Sequence, residues 1–371
     1  MVQLKRKNWI LGGVCLLLVA AIAANFFVFA NATSTRAKLE SCVGDNYIKW
    51  VEFDPPYSAL EKALKLDIDT YEKEPHISWI DVLAYLSASY WGEWSRYKGK
   101  DMDALAEKLA NGEQIEQLAE KYEYFNYYRE AYTAVLGGLV GEYQIATEES
   151  LSQPEPVYET KYGLKGYSPI AYGYSFSHYK DFGASRSYGY GRPHLGNDLM
   201  SNVGSPVMAV ESGIITNLGW NQYGGWRVGI RSLDGKRYYY YAHLRKDHPY
   251  AEGITEGKLV NAGDIIGYVG MTGYSTTENV NGMKAPHLHF GLQLVFDESQ
   301  LEGENEIWVD VYSLVSLLEK HKSPVLRDEG EKDYRRKYPF IDPCVEEYLQ
   351  QHAEVEPGDD STSQPETEAG T

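Results

Sequence analysis

The segment His287-Leu-His-Phe-Gly-Leu-Gln-Leu-Val-Phe296 leaves the backbone little choice. Leu288, Phe290, Leu292, Leu294 and Phe296 recur at every second residue, and His287, His289, Gly291 and Gln293 fall between them. Side chains alternate across a strand, so the pattern predicts a β-strand with one aliphatic face on a core and one more polar face left open. The open face carries two imidazoles one step apart on a stiff element. Such a pair is either two surface histidines on an amphipathic strand or a platform for metal and acid–base chemistry.

Two other motifs favour chemistry. His194-Leu-Gly-Asn-Asp198 follows Gly191 and Pro193 and contains Gly196, which predicts a turn entering a strand, not a helix. A loop of this kind can present one nitrogen and one carboxylate oxygen to a single ion. The third motif is Tyr-Ala-His243-Leu, and four of the nine histidines fall in the three motifs. Imidazole nitrogens with one carboxylate oxygen form the donor set of a catalytic zinc, with an open fourth position.

The surrounding segment reads as antiparallel β. Val207–Thr216, Trp226–Arg231, Arg237–Ala242 and Ile265–Val269 are rich in β-branched and aromatic residues, and Asp234-Gly235 is a hairpin signal. The spacings between these runs are too short for helical crossovers. One face of the sheet should pack a core and the other form a groove suited to an extended peptide. Tyr188–Tyr190 and Trp220–Trp226 are candidate groove walls, or else aromatic packing at the sheet rim.

In this order, His-x-x-x-Asp, Tyr-Ala-His-Leu and Pro-His-Leu-His-Phe resemble the motifs of the lysostaphin-type (LytM-type) zinc metallopeptidases, peptidoglycan endopeptidases of bacteria. Further similar segments are Gly204-Ser-Pro-Val-Met-Ala-Val-Glu-Ser-Gly213, Val260-Asn-Ala-Gly-Asp-Ile-Ile-Gly-Tyr-Val-Gly270 and Thr272-Gly-Tyr-Ser-Thr276. The likeness covers about residues 185–300. It implies one Zn²⁺ per chain held by His194, Asp198 and His289, with His243 and His287 as catalytic histidines outside the ligand set. His287 would take the proton from water and His243 would steady the tetrahedral intermediate. The substrate implied is a peptidoglycan peptide, in the stem or in a cross-bridge. Two departures stand out: Gly291 where many relatives place glutamate, and a longer connection over Thr276–Ala285 on the expected cleft rim. All five key positions are retained. That argues against the alternative of a catalytically idle wall-binding or scaffolding protein using the same groove.

The fold class expected is α+β multidomain. Residues 1–8 would be a cytoplasmic end and 9–30 a transmembrane signal anchor. Residues 33–148 would form a helical juxtamembrane domain, 149–184 a linker and lead-in, and 185–300 the peptidase. A C-terminal extension packing on the fold would span 301–350, and an acidic disordered tail 351–371. Lys5, Arg6 and Lys7 precede an uncharged run from Trp9 to Ala30, roughly the 20 residues a bilayer core requires. Its length favours a retained anchor, single-pass with the catalytic part extracytoplasmic. Ala30-Asn31-Ala32 offers the alternative of cleavage and secretion. Outside that run the cysteines are Cys42 and Cys344, a disulfide or two separate thiols, and with no Cys-x-x-Cys pair a cysteine-built metal site is excluded.

In the helical part, Ser78-Trp-Ile-Asp81 looks like a capping box, with Trp79, Leu83, Leu86 and Tyr90 on one stripe. A second helix should open at Asp101 or Asp103 and stop at Asn111-Gly112; a third should run from Gln114 to about Val140. The region could be a small bundle acting as spacer, interaction module or regulator of the cleft. Glu93, between Trp91 and Trp94, lacks the partner carboxylate that glycoside hydrolysis normally needs. A formal charge of −18 excludes nucleic acid as a natural partner, because duplex binding relies on neutralising phosphates with Lys and Arg.

Overall fold

The computed structural model describes residues 47–353 except 189, 304 and 328. The expected anchor at 9–30, Cys42 and most of the acidic tail lie outside the described residues. No helix among the described residues is long and apolar enough to cross a membrane.

Helices α1 (Tyr57–Thr70), α2 (Trp79–Tyr90), α3 (Gly99–Ala110), α4 (Ile115–Ala119) and α5 (Phe125–Leu136) open the described chain. The Ser78 side chain accepts the Asp81 N–H and starts α2, satisfying one of the otherwise unpaired first-turn donors. The stripe Trp79, Leu83, Leu86 and Tyr90 is buried, as are Met102, Leu105 and Leu109 of α3. The single helix expected from Gln114 to about Val140 is broken. Tyr122 packs edge-on against Tyr85 and Tyr124 against Trp91, and those aromatic contacts hold a turn between α4 and α5. Beyond Leu136 the chain becomes strand β1 (Val140–Ala146). It pairs in antiparallel register with β2 (Tyr158–Leu164), which lies inside the stretch read as linker, and with the two-residue strand Phe340–Ile341.

Strand β3 (Ser185–Tyr188) pairs with β4 (Tyr190–Pro193), β6 (Pro206–Met208) with β11 (Ile265–Tyr268), and β10 (Leu259–Val260) edges the main sheet, which is antiparallel throughout. Strands β7 (Gly213–Asn221), β8 (Gly225–Ser232), β9 (Arg237–Ala242) and β12 (His287–Leu294) are hydrogen-bonded neighbours in that order. On its other side β12 takes β5 (Asn197–Met200) along its first half and Ile307–Trp308 along its second. The alternation of β12 is realised: Leu288, Phe290, Leu292 and Leu294 are fully buried. Each such burial stabilises the sheet by about 1.5–3 kcal/mol relative to exposure. The expected strand Val207–Thr216 divides into Pro206–Met208, which pairs with Ile265–Tyr268, and β7. Between them Val210 N–H is bound by the Tyr241 hydroxyl and Glu211 by Arg237, so the chain turns there to reach polar partners and does not run straight.

The helices do not form a separate bundle. One hydrophobic core runs from Leu60, Leu83 and Val135 through Tyr239 and Phe290 to Leu317. Helix α6 (Tyr312–Leu318), from the C-terminal side, packs on α1. At the centre of the junction Arg237, 1% exposed, crosses from β9 to the carbonyls of Thr133 and Ala134 on α5.

Candidate active site

Pairing of β5 with β12 sets His289 directly opposite Asp198, and the turn before β5 brings back His194. Three donor atoms then form a small triangle. His194 Nε2 lies 3.0 Å from Asp198 Oδ1 and 3.0 Å from His289 Nδ1, and His289 Nδ1 lies 3.1 Å from Asp198 Oδ1. Two donors each about 2.0–2.1 Å from a tetrahedral ion are about 3.3–3.4 Å apart, so widening each edge by a few tenths of an ångström would seat a zinc-sized cation. Gly196 makes the approach possible: a Cβ there would come within 2.7 Å of His289 Cε1 and of the Phe290 carbonyl.

Groups around the triangle orient it. The Asp181 carboxylate reaches His194 Nδ1 at 3.3 Å, and Arg186 bridges Asp181 at 2.5 Å and the second oxygen of Asp198 at 3.3 Å. Burial pushes the Asp198 carboxyl up, but hydrogen bonds from His194 and His289 outweigh it and hold the group below the usual carboxylate range. It stays ionised, as a ligand must be. Burial lowers the His289 imidazole, which favours the neutral form.

His243 and His287 stand beside the triangle, their rings 4.8 Å apart. His287 Nδ1 donates to the Ala285 carbonyl at 2.9 Å and His243 Nδ1 to the Thr272 carbonyl at 2.8 Å. A carbonyl only accepts, so each neutral ring carries its proton on Nδ1 and keeps a lone pair on Nε2. His287 Nε2 is buried without a hydrogen-bond partner, 3.8 Å from Asp198 Oδ1. His243 adopts a left-handed φ of 60°, rare for a non-glycine residue, and its N–H is pinned to Gly224. Burial, then repulsion from His287 and His289, depresses its basicity well below the ordinary histidine range.

These five residues share the floor of a cleft of roughly 770 Å³. Its walls are Tyr223, Tyr274 and Arg192, whose guanidinium stacks over both rings. Of the segment Trp220–Trp226, expected as a wall, Asn221, Tyr223 and Gly224 line the cleft, whereas Trp220 and Trp226 pack edge-on against each other and the Trp226 indole donates to Asn279. The side chains of 188–190 are not described. Asn279 also binds Asp247, which ties the long connection to the rim; within it only Met283 lines the cleft, and no described residue before Arg186 does. At Gly291 a Cβ would meet Trp308 Cζ3 at 2.8 Å, so an indole fills the room a larger residue would need. Asp181, Arg186 and the Ala285 carbonyl belong to the site without any motif to mark them, and the Thr272 carbonyl lies in a motif that did not reveal its role.

Residues 192–301 match the model of Peptidase family M23. The L-Ala–D-Glu endopeptidase of Bacillus subtilis (strain 168) is 37% identical over 124 residues, 33% of this chain and 36% of that protein. Lysostaphin of Staphylococcus simulans is 40% identical over 114 residues, 28% of this chain and 20% of its own length. The chain therefore spans about a third or less of these relatives. A crystal structure of the Ruminococcus gnavus protein LytM aligns over 71% of this chain and 88% of its own, at 24% identity and a TM-score of 0.47. The matched segment contains the whole donor triangle and both flanking histidines, so the chain carries over residues 192–301 a peptidase family M23 domain, homologous to those of the L-Ala–D-Glu endopeptidase and lysostaphin.

Proposed function

We propose that this chain is a membrane-anchored, zinc-dependent endopeptidase that hydrolyses peptide bonds of bacterial cell-wall peptidoglycan. One observation carries the reading. Donors from His194, Asp198 and His289 converge to within 3.1 Å on the floor of an extended cleft, beside two histidines that each keep a free Nε2. A zinc ion held by those three supplies Lewis acidity toward a carbonyl and lowers the pKa of water from 15.7 to about 7.

The chain's own residues do the rest. An extended peptide lies along the open face of β12 between Tyr223 and Tyr274. His287 Nε2, the free nitrogen nearer Asp198, accepts the proton of the attacking water. Protonation there leaves Nδ1–H on the Ala285 carbonyl, so the ring need not turn to hold its charge. With Nδ1–H held by the Thr272 carbonyl, His243 can donate to the scissile carbonyl oxygen only with Nε2 also protonated, a form that developing negative charge beside it favours. Membrane attachment is supported by the uncharged run Trp9–Ala30 behind Lys5, Arg6 and Lys7, which would place the cleft on the cell-wall side.

Incubating the full chain with purified cell walls tests the reading. New amino termini should appear with zinc and vanish with a chelator, whereas an idle wall-binding protein would sediment with the walls and release nothing. Fractionation of cells should place the chain in the membrane, with its C-terminal part open to added protease.

A further inference from the structure

Four arginines line the cleft of a chain whose formal charge is −18. Two are neutralised within it: Arg186 by Asp181 and Asp198, and Arg231 by Glu298 at 2.8 Å. Arg192 and Arg227 are not. Neither meets a carboxylate among the described residues, and each has a buried Nε without a hydrogen-bond partner. Arg192 donates to the Tyr274 hydroxyl at 3.2 Å and stacks on Tyr223 and Tyr274, which fixes its plane. Arg227 projects from β8 into the same cleft, and its guanidinium makes no hydrogen bond to another described residue. Tyr240 lines the same cleft; among the described residues its hydroxyl is bound by Asn221 at 3.3 Å, and its ring stands edge-on to His289 at 5.8 Å between centroids. The remaining acid of the cleft, Glu306, accepts from the Trp308 indole.

A partly desolvated guanidinium with no carboxylate partner is costly, and a cleft that holds two of them is complementary to an anion. We propose that Arg192 and Arg227, with the Tyr240 hydroxyl of the same cleft, form a subsite for a free carboxylate of the substrate peptide. Resting on the endopeptidase reading, this narrows the substrate to stem peptides that carry acidic residues and disfavours uncharged glycine bridges. The Tyr240 and His289 ring centroids are 5.8 Å apart and an extended residue spans about 3.3–3.6 Å, so a carboxylate bound at the Tyr240 hydroxyl lies within a few residues of the scissile bond. The subsite also explains how a strongly acidic protein captures an acidic peptide: the field is reversed locally, where a short-range bond can form.

The test compares two probes, a stem peptide with free carboxylates and the same peptide with its carboxylates amidated. Binding to the zinc-loaded full chain is measured by calorimetry and cleavage by release of new amino termini. The free peptide should bind roughly 10- to 100-fold more tightly than the amidated one, the range expected of a charge-assisted hydrogen bond. Arg227→Gln should remove that preference while leaving zinc content and affinity for the amidated peptide unchanged, and Arg227→Lys should restore part of it. Equal binding of the two probes by the unaltered chain overturns the subsite. So does an Arg227→Gln variant that weakens both probes alike. Preferential binding of the free peptide with no cleavage of either leaves the subsite standing and sinks the endopeptidase reading instead.

Discussion

Two buried polar centres in this molecule are built by opposite rules. At the junction of sheet and helices, Arg237 donates from Nε and Nη2 to both oxygens of Glu211, from Nη2 to Asp234, and from Nη1 to the carbonyls of Ala134 and Thr133. Those five bonds account for the five donors of a guanidinium. Glu211 is further tied to the Tyr239 hydroxyl at 2.6 Å. In the cleft, Arg192 Nε, Arg227 Nε and His287 Nε2 are buried and have no hydrogen-bond partner, and behind it neither has Asp181 Oδ1. Saturation locks a structure, because every group is already at its lowest-energy arrangement. Unsatisfied buried atoms cost stability and persist where a ligand is to complete them. The comparison separates residues that hold the cleft in place from residues that act in it.

The largest effect expected is at the triangle. His289→Ala should abolish zinc retention and turnover together, read by metal analysis of the purified chain and by wall hydrolysis. His243→Gln should keep the metal yet lower kcat/KM by about 10²–10⁴, the usual worth of a positioned acid–base group. Loss of zinc from His243→Gln would place that ring among the ligands and erase the division drawn here.

Breaking the saturated centre should cost stability before activity. Arg237→Ala strands Glu211 in the core, and removing one partner of a buried pair typically costs about 3–5 kcal/mol. Urea denaturation of the two proteins, followed by tryptophan fluorescence, measures it. Replacing both members by apolar residues, Arg237→Met with Glu211→Leu, should recover most of the loss. A single Arg237→Ala variant as stable as the unaltered chain would show that saturation at this junction is incidental.

The same contrast explains what could be read from the sequence. The alternation of residues 287–296 predicted its strand because hydrophobic period is a local property, and the stripe Trp79, Leu83, Leu86, Tyr90 predicted its helix for the same reason. Strand β1 was hidden in the expected helical domain 33–148, just past the end of its third helix, because its partners Tyr158–Leu164 and Phe340–Ile341 are not its immediate neighbours in the chain and its own residues alternate weakly. The triangle residues were legible because imidazoles and a carboxylate are chemically conspicuous. Their supports were not: two are backbone carbonyls, and Asp181 reaches His194 from 13 residues away through a fold that no local pattern encodes. The unpaired state of Arg227 is a property of what surrounds it, so only the assembled cleft shows it.

A smaller effect should come from Asp181, the support that stands between the two kinds of centre. One of its oxygens binds Arg186 and reaches His194 Nδ1, and the other has no partner. Asp181→Asn keeps the shape and removes the charge behind the ligand. Partners of that kind are worth about 10- to 100-fold in metal affinity, so zinc competition with a chromophoric chelator should show a loss in that range with the fold intact.

The smallest effect distinguishes a satisfied histidine from the functional ones. His321 stacks on Tyr167 at 4.2 Å and donates from Nδ1 to the Gly166 carbonyl at 2.8 Å, remote from the cleft. Burial lowers its pKa below the ordinary histidine value, so it is held neutral in the folded chain. Between the folded and unfolded pKa values the unfolded chain binds more protons, and stability there rises with pH. The contribution is fully present above about pH 6.5 and is lost as pH falls through the folded value. Urea midpoints of the unaltered chain and of His321→Gln should therefore converge on acidification from pH 7.5 and separate again on return. Midpoints that keep a constant gap across that range would mean His321 titrates alike in both states, and that a buried imidazole bonded through Nδ1 leaves no trace in the pH dependence of folding.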